Sequence, residues 1–85
     1  MNIEFNEEKN KLLKETRWVC FENVIEKIQT WNIIDIIPNE NYKTQQNLVL
    51  KINDYIYICP FIQDKNGFFL KTLFPSRKHN KIYNS

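Results

Sequence analysis

The chain has 85 residues, 42% hydrophobic and 14% aromatic, which suits one compact domain spanning 1–85 and leaves no room for a second. One glycine excludes a glycine-rich phosphate loop, and two cysteines with one histidine fall short of the four ligands of a structural zinc site, so no metal or cofactor is expected. The net charge of +2 is unevenly spread: all ten acids lie at or before Asp64, and Lys65, Lys71, Arg77, Lys78, His79 and Lys81 follow it.

Asn6 ahead of Glu7 and Glu8, with Lys9, Lys11 and Lys14 later, reads as an N-cap with charges that suit the helix dipole and predicts a helix over 7–15. Leu12 and Leu13, with Phe5 just before the helix start, supply its narrow packing stripe. Phe21, Val24, Ile25 and Ile28 fall at i, i+3, i+4 and i+7, the apolar face of a second helix over 21–30. Trp18 and Trp31 bracket that helix and are expected to pack into the core at its ends, the alternative being exposed base-stacking platforms. Cys20 and Cys59 sit in apolar settings and read as buried, reduced thiols.

Residues 33–37 are β-branched enough for a short strand that Pro38 ends, and 39–47 is a polar loop. Leu48, Leu50 and Ile52 alternate with polar or outward positions, and Asn53-Asp54 turns the chain into a strand over 55–62. Asn66-Gly67 offers the next turn, and 68–74 returns as one strand before Pro75. Pro60 conflicts with a central strand and requires a bulge or an early strand end. The expected fold is therefore α+β, with two N-terminal helices on a three- to four-stranded antiparallel sheet. Ser76 caps a short basic tail over 77–83, helical or turn-like and too short to be stable without packing. No apolar run approaches the ~20 residues of a membrane span, and the N-terminus shows no basic stretch followed by an apolar one, so a cytoplasmic location is expected.

The residues able to carry chemistry cluster at the end of the chain: Lys71, Arg77, Lys78, His79, Lys81 and Tyr83. An acid-free basic stretch beside aromatics is the footprint of a polyanion site. RNA can be cleaved without a metal when the ribose 2′-hydroxyl attacks the adjacent phosphate, because the protein then has only to orient the groups and stabilise added negative charge. A guanidinium binds two phosphate oxygens at once, which makes Arg77 the leading candidate for that charge, with Lys71 and Lys78 behind it. His79 is the candidate acid or base, since imidazole is the side chain that transfers protons most readily near neutrality.

Three segments, Phe5-Asn6-Glu7-Glu8-Lys9-Asn10, Cys20-Phe21-Glu22-Asn23-Val24 and Thr72-Leu73-Phe74-Pro75-Ser76-Arg77-Lys78, resemble in order and spacing the landmarks of the BrnT-type toxins, part of the RelE-like superfamily of bacterial toxin–antitoxin ribonucleases. The resemblance implies helices packed on an antiparallel sheet, growth-arresting endoribonuclease activity, and neutralisation by an antitoxin of the BrnA type in a complex that binds operator DNA. It assigns Arg77 to the final arginine of the third landmark and Lys9 to the lysine of the first. Lys9, Lys81 and Tyr83 become candidate RNA-binding residues. Thr72 stands where the family carries another arginine, and strand alternation would turn Lys71 to the opposite face from it. A non-catalytic nucleic-acid- or antitoxin-binding module of the same fold is the alternative reading.

Overall fold

The computed structural model describes residues 2–84, which fold as an α+β domain of three helices and one six-stranded mixed sheet. In chain order the elements are β1 (Asn2–Phe5), α1 (Glu7–Arg17), α2 (Phe21–Gln29), β2 (Asp35–Pro38), β3 (Gln46–Ile52), β4 (Tyr55–Asp64), β5 (Gly67–Leu70), β6 (Phe74–Pro75) and α3 (Arg77–Tyr83). Along the sheet the order is β1-β5-β4-β3-β2, with β6 also paired to β4. The arrangement therefore differs from two helices on an antiparallel meander. A strand precedes the helices and runs parallel to β5, whereas the basic tail forms the short Ser76-capped helix that the sequence leads one to expect.

β1 escaped the sequence pattern because four residues with two apolar positions, Ile3 and Phe5, carry almost no periodic signal. Gly67 is its hidden marker. A Cβ at Gly67 would lie 2.0 Å from the Asn2 carbonyl oxygen, and its φ of 139° is open only to glycine, so the residue lets β1 approach β5 as well as leaving the turn. Asn53 and Asp54, at φ 52° and 65°, form the expected two-residue hairpin turn.

The 68–74 segment is not one strand. From Gly67 to Leu70 it pairs with β4 in one register, Phe61 opposite Leu70; at β6 the register has moved by one, Ile58 opposite Phe74. Three residues, 71–73, thus face two, Cys59 and Pro60, which is a β-bulge. Pro60 explains its place. The Pro60 carbonyl accepts from the Lys71 amide at 2.8 Å, so the side of Pro60 that lacks an N–H faces the interruption, where the ladder is already broken.

Asn6 caps α1 by accepting from the Lys9 amide at 2.9 Å. Leu13 is buried but Leu12 is half exposed, so α1 packs on a narrower stripe than expected. Together α1 and α2 cover one sheet face, where Leu13, Val19, Phe21 and Val24 meet Leu48, Leu50, Cys59, Phe61, Leu70 and Leu73. Cys59 is fully buried as expected, whereas Cys20, the residue capping α2, is half-buried. Trp18 and Trp31 are the larger correction. They are 87% and 91% exposed, each at a positive φ just past a helix, and Val19 takes the core position next to Trp18. The other sheet face is smaller: Val49, Ile56 and Ile58 lie under Ile37, Phe74 and Tyr83. Seven residues make no stable helix alone, so α3 depends on its ties to this face. Asn80 Oδ1 accepts from the Ile56 amide at 3.1 Å, Asn84 Nδ2 donates to the Asp54 carbonyl at 3.0 Å, and the Tyr83 hydroxyl donates to Asp35 at 2.9 Å. No helix among the described residues is long and apolar enough to cross a membrane.

Candidate functional site

The bulge, the loop 39–45 and the start of α3 enclose an open groove of about 700 Å3. One wall is cationic: Lys71 and Thr72 from the bulge, Lys78 and His79 from the first turn of α3. Regular alternation would have separated Lys71 from Thr72, but the extra residue of the bulge lets both line the groove. The other wall is the loop, with Asn39, Glu40, Asn41, Tyr42 and Gln45, backed by Asn47 of β3. The floor is apolar, from Ile37, Pro60 and Phe74.

His79 is held by its own helix. Ser76 caps α3 by accepting from the His79 amide at 3.3 Å, and its hydroxyl oxygen lies 2.7 Å from His79 Nδ1. A hydroxyl both donates and accepts, so this contact serves an unprotonated Nδ1 and a protonated one alike and leaves Nε2 for a ligand. Tyr83 stacks on the imidazole with ring centroids 6.4 Å apart and is anchored by Asp35, whose hydrogen bond raises the phenol above its ordinary pKa. Lys78 makes an ion pair across the groove to Glu40 at 3.9 Å.

Lys71 also borders a second, shallower hollow formed by Asn6, Glu8, Lys9, Leu12 and Phe69, and its ammonium sits 5.4 Å from the Phe69 ring centre. Lys9 thus stands near Lys71 but outside the main groove. Arg77 and Lys81, four residues apart on α3, are exposed and do not line the groove. Tyr83 reaches the site only through His79. The structure therefore gathers Lys71, Lys78 and His79 and sets Arg77 and Lys81 on another face of the same helix.

Sequence reasoning missed Ser76 as a partner of His79, and the whole loop wall. The signal for that wall was compositional only, five amides and a tyrosine across 39–47, a segment that reads as plain loop.

The three sequence motifs also have a structural logic. Asn10, the one buried polar side chain among the described residues, donates to Glu22 Oε1 at 2.7 Å and accepts from the Phe21 amide at 2.7 Å, joining the first motif to the second. Glu22 is held below the usual carboxylate pKa, chiefly by that amide. Arg17 reaches from the end of α1 to the Leu73 carbonyl at 2.7 Å, fixing the bulge against the helical layer.

No family model, curated protein or solved structure matches this chain.

Proposed function

We propose that this chain is a metal-independent endoribonuclease, the toxin of a type II toxin–antitoxin pair, acting in the cytoplasm and neutralised by a BrnA-like antitoxin. The observation that carries the reading is the convergence of Lys71, Lys78 and His79 on one open groove from two separate segments. The two ammonium groups supply the positive charge that a phosphorane-like transition state needs, as point charges rather than a bidentate fork. His79 exchanges the proton: the 2′-oxygen bonds to phosphorus, the P–O5′ bond breaks, a base removes the 2′-proton and an acid supplies one to the 5′-oxygen. The products are a 2′,3′-cyclic phosphate and a 5′-hydroxyl. Ser76 keeps the imidazole oriented in either protonation state. Arg77 and Lys81 hold flanking phosphates along the outer side of α3. The RelE-like assignment of the fold belongs to the same proposal, supported by the third motif leading into α3 beside the groove.

The test is incubation of purified protein with single-stranded RNA in excess chelator, alongside growth of cells on induced expression. Cleavage with cyclic-phosphate ends, lost in Lys78→Ala and His79→Ala and retained in Arg77→Ala, is expected. Intact RNA with the wild type, together with growth arrest that His79→Ala does not relieve, overturns the reading. One observation favours a binding module instead: Arg77 and Lys81 present charge outside the groove. That reading predicts RNA binding whose affinity falls steeply with salt and yields no product.

A further inference from the structure

The loop wall of the groove has its own chemistry, and it differs from that of the cationic wall. Tyr42 is 60% exposed on its lip, yet its backbone is fastened at both ends. Its amide donates to Asn39 Oδ1 at 3.0 Å, and its carbonyl accepts from the Gln45 amide at 3.1 Å. Asn39 in turn donates to Asn47 Oδ1 on β3 at 3.0 Å, so the ring is mounted on the sheet rather than on a free loop. An exposed aromatic carried on a fixed backbone is a stacking surface that loses little entropy when it is used. The side-chain amides around it, which both donate and accept, match the edges of an unpaired base. The Glu40–Lys78 pair spans the two walls, so a chain lying in the groove touches both at once.

We infer that the loop wall is a nucleobase subsite: a base of single-stranded RNA stacks on Tyr42 and is read by the neighbouring amides while its phosphate lies on Lys71 and Lys78. This rests on the ribonuclease reading and adds to it the requirement for an unpaired base at the site of cleavage. A base-paired strand cannot present a free face to Tyr42, so duplex RNA is excluded.

The probe is a single-stranded 2′-fluoro hexanucleotide with 2-aminopurine at alternate positions, which lacks the attacking hydroxyl and reports stacking by quenching. Wild type and Tyr42→Phe should bind it with quenching. Tyr42→Ala should bind roughly five- to one-hundred-fold more weakly, with fluorescence restored and the salt dependence unchanged. Tyr42 lies on an exposed lip, so the substitution leaves the core intact. Equal affinity and no quenching difference between wild type and Tyr42→Ala, with salt-sensitive binding retained in both, overturns the base subsite and leaves the ribonuclease reading standing. No binding of the hexanucleotide by the wild type overturns both.

Discussion

Replacing Asn10 by alanine removes the tie between α1 and α2, and the structure sets the size of the loss. Asn10 is 2% exposed and Phe21 is fully buried, so the Phe21 amide has no water to turn to when the Asn10 carbonyl oxygen is gone. A buried donor left unpaired costs about 1–3 kcal/mol. The second bond, to the half-exposed Glu22, adds at most about 1 kcal/mol after solvent screening. The sum, roughly 1–4 kcal/mol, is a large share of the 5–15 kcal/mol expected for a domain and corresponds to about 4–30 °C in Tm. Urea titration and thermal melting followed by circular dichroism measure it. The substitution also changes acid sensitivity. Glu22 ordinarily titrates at 4.5 and is held lower in the fold, so its contribution is present above that value and is lost as pH falls through the lowered folded value. Without the Asn10 amide, the decline in stability below pH 4.5 should be shallower. A loss under about 0.5 kcal/mol, with an unchanged acid profile, refutes the argument that this side chain joins the two helices.

Gly67→Ala should detach β1, because the new Cβ meets a backbone oxygen that cannot yield; a loss of roughly 2–4 kcal/mol is expected, with hydrogen exchange rising first in β1 and β5. In the native protein an alkylating reagent should modify Cys20 and spare Cys59, since burial pushes the Cys59 thiol up and shields it; mass spectrometry with and without denaturant distinguishes the two. Glu40→Gln frees Lys78 from a pair whose side chains are 85% and 71% exposed, so affinity for a single-stranded oligonucleotide should rise by no more than about five-fold at low salt, and the gain should vanish at high salt.

Longer elements were legible because their patterns repeat. α2 shows two turns of apolar spacing, and the Asn53-Asp54 hairpin has side chains that tolerate positive φ. β1 was not, because its stability comes from a partner more than sixty residues away rather than from local pattern. The tryptophans misled for a related reason. Their size argues for burial, but the chain turns outward in a left-handed conformation at both positions. At the site, Lys78 and His79 follow directly from Ser76 capping a helix, whereas Arg77, one residue earlier, lies away from the groove. A basic cluster in sequence fixes charge density and leaves orientation open; the hydrogen bonds of α3 to Ile56, Asp54 and Asp35 set its rotation.

The groove traces to one surplus residue. Pro60 states in the sequence that the ladder must fail on one side of β4, and the bulge at 71–73 is where it fails. Deleting Thr72 tests this directly. Without it, Lys71 stays opposite Pro60, Leu73 moves opposite Cys59, and Phe74 remains opposite Ile58, so β5 and β6 join in a single register. Alternation is then obeyed throughout: Leu70 and Leu73 keep to the α1–α2 face, and Lys71 and Phe74 keep to the face of α3. Removing one residue from a regular strand inverts every side chain beyond it, and deletion of Lys51 from β3 should unfold the domain. Deletion of Thr72 should instead leave stability within about 1 kcal/mol of wild type, because it regularises the sheet rather than breaking it. It should also draw Lys71 into a rigid ladder and narrow the groove, weakening oligonucleotide binding in a protein that is still folded. Unfolding on loss of Thr72, to the same degree as on loss of Lys51, would mean that the surplus residue is not in the bulge and that the groove has another origin.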